Sequence, residues 1–330
     1  MAISTFAFPL HELHIEHTVI CGQTFRWKQD KQGWWSCLLP VTGSPPNVPR
    51  HQLVRLWQER ESVFYETLPR SNDLKLVRDY FRLDIDLDAL TREFARVDPH
   101  IQPALSDFPG LRVLRQDPEE CLFSFLCTPA APLHRIRSAI TSLCRAYGDS
   151  FPGGAVAGVM HHGFPPTQRF AEASIPQMEK FGLGFRAKRI KEAAQQVMAN
   201  GGAGWLLSLR SLPYPEARAA LMTLSGVGEK IADCVCLFSL DKDDAIPVDT
   251  HIRQIVQRRY VTAEIRPTLP AGGKKLDQAL GDILRERFGA MAGWAQQYLF
   301  FGDLYQKGAW DVYVSQTRST LLDFQGKIEG

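Results

Sequence analysis

The segment Leu224-Ser-Gly-Val-Gly-Glu-Lys230 and, one helical pattern later, Ile246-Pro-Val-Asp-Thr-His251 decide how this chain is read. Two glycines flank one apolar residue, so Gly226 and Gly228 can supply the positive φ of a tight turn while Val227 plugs inward. Backbone N–H groups at the start of the next helix then face outward, a geometry that holds a phosphate. Taken alone, such a turn is equally a plain corner between two helices. Lys230 changes the balance. It falls in the first helical turn, where the positive helix end and burial both disfavour a further positive charge and so favour a nucleophilic amine. Asp249 precedes Thr250 and an amphipathic run, which makes it an N-cap with Pro247 fixing the approach of the chain. A capping carboxylate that faces a cleft is rigid enough to stabilise cationic charge on a sugar or to accept a proton.

Outward from this segment the helical period dominates. It predicts helices over 135–147, 186–198, 215–224, 231–240, 250–259, 275–288 and 294–306. Asp117-Pro118 is a cap with proline at the first helical position, and Cys121, Leu122, Phe125 and Leu126 form the buried stripe behind it. Leu74, Val77, Tyr80 and Phe81 also fall on one helix face. Before them the pattern is that of strands: 24–27 and 34–39 around a turn at 30–33, then 53–57 and 63–67, with Pro45, Pro46 and Pro49 in the loop between the pairs. The change of period near Arg115 divides the chain into an N-terminal antiparallel sheet domain with flanking helices (1–115) and a helical domain (116–330), an α+β organisation. The stretch from Gly153 reads as loop.

Composition bounds the rest. The 330 residues carry 38 Lys and Arg against 36 Asp and Glu, with 45% hydrophobic and 22% charged residues, which excludes disordered and collagenous chains. A net charge of +2 argues against a histone-like polyanion binder but leaves room for a local basic face. No apolar run reaches the ~20 residues of a membrane span and Met1–Leu10 lacks a basic leader, so the expected location is intracellular: cytoplasm or nucleoid in a bacterium, nucleus in a eukaryote. Seven scattered cysteines fit reduced thiols, Cys234 and Cys236 lack the partners of a zinc site, and no cysteine follows Cys236 to build an iron–sulfur cluster.

The run Leu-Ser-Gly-Val-Gly-Glu-Lys-Ile-Ala-Asp-Cys (224–234) with Pro-Val-Asp-Thr-His (247–251) resembles the helix-hairpin-helix DNA glycosylases, and its Lys-x-Ala-Asp-Cys continuation resembles 8-oxoguanine DNA glycosylase within them. Gly22-Gln-Thr-Phe-Arg-Trp27, Asp117-Pro-Glu-Glu-Cys-Leu-Phe-Ser-Phe125, Gly182-Leu-Gly-Phe-Arg-Ala187 and Gly293-Trp-Ala-Gln-Gln-Tyr-Leu-Phe300 agree in the same order. The resemblance implies a bifunctional base-excision enzyme that flips a damaged purine out of duplex DNA, displaces it with an amine and then nicks the strand. It assigns Lys230 as the nucleophile at C1′ and Asp249 as the group that assists departure. Cys234 and Phe300 would sandwich the flipped base, Gln296 would bond its Watson–Crick edge, and the Gly22 carbonyl would accept the N7 proton that distinguishes the lesion. His251 would contact a phosphate, with Asp303 orienting it, and the carbonyls of the Gly226-Val227-Gly228 turn could hold a monovalent cation that no step requires. No other cofactor or metal is implied, the partner is DNA containing oxidised guanine rather than a membrane, and the expected state is a monomer.

The chain departs from the family pattern in one place. The family's asparagine-rich run, which fills the gap in the duplex and pairs with the orphaned cytosine, is Thr128-Pro-Ala-Ala-Pro132 here, so Ala130 and Ala131 supply no side-chain amide. Arg135 and Arg186 match the cytosine-contacting arginines, and Phe185 stands where the family has an intercalating tyrosine. The expectation is excision with a relaxed preference for cytosine opposite the lesion. Two rivals stay open: an alkylpurine-type glycosylase using Asp249 with water, which Lys230 argues against, and a non-catalytic hairpin protein in which Lys230, Arg186, Lys188, Arg189 and Lys191 form a salt-sensitive DNA patch.

Overall fold

The computed structural model describes residues 3–41, 51–70 and 74–306; Pro45, Pro46 and Pro49 lie outside them. Five strands, β1 (Ser4–Ala7), β2 (Lys28–Gln29), β3 (Trp35–Pro40), β4 (His51–Gln58) and β5 (Ser62–Leu68), form an antiparallel sheet in the order β1-β5-β4-β3-β2. Trp35 pairs with Leu56, and Leu56 with Tyr65. Because side chains alternate along a strand, this register puts Trp35, Cys37, Leu39, Val54, Leu56, Val63 and Tyr65 into one core. Val19 and Ile20 of α1 (Ile15–Ile20) and Val77 and Tyr80 of α2 (Lys75–Tyr80) complete it.

Two features of the sheet differ from the sequence expectation. Strand β1 carries no alternation strong enough to announce it. The run 24–27 is not a strand but buried irregular backbone, whose β-prone residues reflect burial rather than pairing. Phe25 belongs to the helical core and Trp27 to the sheet core, so this segment crosses between them. Side-chain amides anchor the chain just before it: Gln23 Nε2 donates to Thr18 O at 2.9 Å and to Arg112 O at 2.7 Å, and Gln116 Nε2 donates to Gln23 O at 2.8 Å.

Two further short helices, α3 (Leu87–Val97) and α4 (Gln102–Asp107), precede the main helical array. The array comprises α5 (Pro118–Leu126), α6 (Leu133–Tyr147), α7 (Thr167–Glu172), α8 (Ile175–Lys180), α9 (Arg186–Ala199) and α10 (Ala203–Ser208). It continues through α11 (Tyr214–Met222), α12 (Glu229–Ser239), α13 (Thr250–Arg259), α14 (Gly273–Phe288) and α15 (Ala292–Gln306). Asp117 caps α5, accepting from Glu120 N at 3.1 Å, as the Asp-Pro signal predicts. The larger core takes in Leu87, Phe94, Ile101 and Phe108 from before Arg115 together with the helices after it. Arg82, on the sheet side, reaches Asp243 in the loop between α12 and α13, its Nη2 lying 2.8 Å from Oδ2. The loop that carries the chain from Lys230 to Asp249 is thereby tied to the N-terminal part.

Candidate active site

The hairpin turn joins α11 to α12. Gly226 has φ +78°, and a Cβ there would lie 3.0 Å from the Arg189 side chain, so both conformation and space call for glycine. Val227 is buried, its N–H donating to Leu224 O at 3.1 Å. Gly228 corrects the symmetric picture: at φ −98°, ψ −177° it is extended backbone, with open space around its Cα. Glycine at that position keeps the turn surface bare rather than bending it. No side chain caps α12, so its first N–H groups stay open beside that surface.

Lys230 rises from the first turn of α12, its Nζ 5.1 Å from the centroid of the Phe125 ring on α5. Burial pushes the thiol of Cys234, one turn further along α12, up to about 12 and keeps it uncharged, with Lys230 an opposing influence. Asp249 is the N-cap of α13 and accepts from Ile252 N at 2.9 Å, which fixes the carboxylate without using both of its oxygens. Lys230 and Asp249 both line a cavity of about 1700 Å³ whose wall also includes Gly22, Phe125, His251, Phe300 and the 128–132 loop. An amine resting on an aromatic face, a rigid carboxylate and a mostly apolar slot suit attack on an electrophilic sugar carbon with charge stabilisation at its edge.

Gly22 sits at φ +86° just after α1, and a Cβ there would stand 3.5 Å from Phe300 Cε1. The backbone of Gly22 and the ring of Phe300 therefore frame one end of the slot. The His251 ring meets Phe300 edge-on at 5.9 Å, and its Nδ1 is 3.3 Å from Asp303 Oδ2. Arg258 Nη2 reaches the other Asp303 oxygen at 3.2 Å. Asp303, only 4% exposed, thus bridges His251, which lines the cavity, and Arg258.

Not every expected residue is on the wall. Cys234, one turn beyond Lys230 on α12, is 2% exposed and forms no open face of the slot. Gln296 is 3% exposed, one turn before Phe300 on α15, also off the wall; its buried Oε1 makes no hydrogen bond, a spare acceptor beneath the slot. Phe185 is 55% exposed and Arg135 is exposed on α6, both open to a large partner. Arg186 is different. Its side chain is buried, with Nε donating to Leu183 O at 2.8 Å, Nη1 to Cys127 O at 2.6 Å and Pro129 O at 3.4 Å, and Nη2 to Gly182 O at 2.6 Å. The structure does not place it with the open, DNA-facing groups. Sequence reasoning missed Phe125 and Arg258: the first reads as helix core and the second as one of many surface arginines, and nothing short of tertiary proximity picks them out. Among the described residues, no group of three or more His, Cys, Asp or Glu could hold a metal ion, and no helix is long and apolar enough to cross a membrane.

A hairpin that bares backbone amides, a lysine on the helix after it and a capping aspartate across the slot define the helix-hairpin-helix class of base-excision glycosylases. Residues 125–271 match the HhH-GPD superfamily of base excision DNA repair proteins, and residues 5–122 match the N-terminal domain of 8-oxoguanine DNA glycosylase. The N-glycosylase/DNA lyase OGG1 of Arabidopsis thaliana is 38% identical over 310 residues, covering 90% of this chain and 80% of that protein. An N-glycosylase/DNA lyase of Saccharomyces cerevisiae is 31% identical over 326 residues, covering 88% and 83%. The chain belongs to the 8-oxoguanine DNA glycosylase family of N-glycosylase/DNA lyases. Its fold superposes on that of Clostridium acetobutylicum 8-oxoguanine glycosylase/lyase, solved with dsDNA containing cytosine opposite 8-oxoG, with a TM-score of 0.76 at 26% identity over 90% of this chain and 93% of that one.

Proposed function

We propose that this protein excises 8-oxoguanine from duplex DNA and then cleaves the abasic strand through a Schiff base on Lys230. The observation that carries the reading is the convergence of Lys230 and Asp249, from two separate helix starts, on one cavity that also bears Gly22 and Phe300. The Lys230 amine forms a bond to C1′ as the N-glycosidic bond breaks, its electron pair leaving with the base, which takes up a proton. Asp249 stabilises the cationic sugar and accepts the amine proton. The C1′–O4′ bond then breaks as the nitrogen lone pair forms the C1′=N bond, O4′ taking the proton held on Asp249; the resulting iminium acidifies C2′, loss of that proton expels the 3′ phosphate, and water then releases the lysine. Gly22 O accepts the N7–H of the lesion, while Gln296, Cys234 and Phe300 shape the pocket for its ring. The spare acceptor on Gln296 supports that role.

DNA is held by the Gly226-Val227-Gly228 turn, by His251 and by the exposed side chains of Phe185 and Arg135. The bare surface around Gly228 leaves room for a phosphate with or without a monovalent cation between. The protein acts as a monomer inside the cell, in the nucleoid or the nucleus. Because the 128–132 loop carries no amide side chain, excision opposite cytosine exceeds excision opposite adenine by less than a full set of base contacts would give. Borohydride reduction in the presence of 8-oxoguanine duplexes tests the chemistry: wild type gives a covalent adduct and Lys230→Gln gives none. An adduct that persists in Lys230→Gln overturns it. Excision rates opposite C, T, G and A test the second part, and a steep cytosine preference refutes it.

A further inference from the structure

A backbone carbonyl that accepts a proton from one purine and repels the lone pair of another discriminates only while it keeps its direction. In a trans peptide the oxygen and the N–H point opposite ways, so turning one unit over exchanges an acceptor for a donor. At the Gly22–Gln23 unit that rotation would remove Gly22 O and present Gln23 N–H in its place. Guanine N7 would then find a donor, and the N7–H of the lesion would meet another N–H. The glycine side of the rotation costs little, since Gly22 has no Cβ and already sits at φ +86°. The other side is stiffer. Gln23 keeps a negative φ, and with the flanking peptide planes fixed the rotation drives it into the left-handed region that an L residue resists. If a flanking plane is free to tilt, the φ of Gly22 absorbs the change instead.

Both flanking planes are held by buried glutamines. Before the unit, Gln297 Nε2 on α15 donates to Cys21 O at 3.0 Å. After it, Gln116 Nε2 donates to Gln23 O at 2.8 Å. The Gln23 side chain is itself anchored, Nε2 on Thr18 O and Arg112 O and Oε1 accepting from Leu114 N at 2.9 Å. Among the described residues no donor takes Gly22 O, and Gly22 lines the cavity. The Gln297 contact is the one that crosses from the helical domain: α15 carries it beside Gln296, with its spare Oε1, and three residues before Phe300. One helix therefore bears an acceptor and a ring for the purine and also grips the peptide plane next to Gly22. We propose that Gln297 is a positioning residue for lesion specificity, whose amide fixes the Cys21–Gly22 peptide plane and so keeps an acceptor, not a donor, opposite the purine N7. This rests on the glycosylase reading above, with Gly22 O as the group that meets N7.

The test measures fluorescence anisotropy of full-length Lys230→Gln protein, which cuts nothing, on duplexes with 8-oxoguanine, guanine or 7-deazaguanine at one site. Adding Gln297→Met, which keeps the volume and removes the donor, should lower the preference for 8-oxoguanine over guanine by about fivefold or more, the least effect of leaving one buried acceptor unpaired. Guanine should gain relative to 7-deazaguanine, whose C7–H cannot accept from Gln23 N–H. In protein that retains Lys230, Gln297→Met should still give wild-type borohydride trapping on a preformed abasic site, where no purine fills the slot. Gln116→Met frees the plane on the other side and should show the same pattern; it carries the test if Gln297→Met fails to fold. An unchanged preference, an equal gain by guanine and 7-deazaguanine, or a matching loss of abasic-site trapping overturns the proposal. Absence of trapping by wild type on 8-oxoguanine duplexes would instead sink the glycosylase reading itself.

Discussion

Arg26 and Glu120 form an ion pair, with side chains 7% and 6% exposed, between the crossing segment after Gly22 and the helix that holds Phe125 under the catalytic lysine. Arg26 Nη2 also donates to Leu38 O at 2.6 Å and His162 O at 3.1 Å. Replacing Glu120 by Leu strands a guanidinium that cannot shed its proton, at a cost of about 3–5 kcal/mol. Against a typical stability of about 5–15 kcal/mol that is a large fraction, and with a urea m-value near 3 kcal/mol/M the unfolding midpoint falls by about 1 M. Arg26→Met leaves a carboxylate instead, which neutralises itself. Burial already pushes Glu120 above the usual carboxylate range, with Arg26 the opposing influence. Once Arg26 is gone the folded-state pKa rises further above the unfolded value. The variant should therefore be most stable below the unfolded pKa and lose stability as pH rises through the folded one. Glu120→Leu gains no such recovery in acid, and the Arg26→Met/Glu120→Leu double variant should be more stable than Glu120→Leu alone because no buried charge is left. Urea titrations of the three variants from pH 4.5 to 8 decide the matter. A cost under about 1 kcal/mol for Glu120→Leu, or a double variant whose loss is the sum of the singles, refutes the reasoning.

Gly226→Ala should weaken binding to undamaged duplex and lower stability by about 1–2 kcal/mol, since it meets both a positive φ and the Arg189 side chain; fluorescence anisotropy and a thermal melt check this. Asp303→Asn releases the Arg258 charge and weakens the hold on His251, so KM for lesion DNA should rise more than kcat falls, and equal changes in the two would contradict the positioning role. His161, buried and 3.3 Å from Ser36 Oγ, has its pKa lowered from 6.5 to about 3 by burial. A depressed histidine contributes stability that is full above the unfolded value and is lost as pH falls from about 6.5 toward about 3. His161→Gln should remove roughly one proton from the slope of stability against pH in that window, and an unchanged slope would show that another group carries it.

Much of this protein is local and therefore readable from the chain. Helix α13 starts and ends where its cap and period place it, at Thr250 and Arg259, because an N-cap and an apolar stripe act within a few residues. Asp117 and the turn at Gly226 are legible for the same reason: each solves a backbone problem at its own position. The pairing of Lys230 with Asp249 is also visible, since both stand at the starts of consecutive helices within the one motif-bearing segment. What the sequence alone could not decide depends on contacts between residues far apart. Thr24–Trp27 has the composition of a strand, but Phe25 packs in one core and Trp27 in the other while Arg137 Nη2 donates to Trp27 O, so only packing between two cores reveals it as a crossing. Phe125 lies on an ordinary apolar stripe until α12 brings Lys230 over its ring. Arg135 and Arg186 look equivalent in one dimension; in three, the first faces outward and the second is consumed by four carbonyls. Sequence determined which backbone shapes and chemical groups exist, because propensity and capping are short-range. Tertiary structure decided which of those groups are free to act, because hydrogen-bond donors are finite and burial commits them.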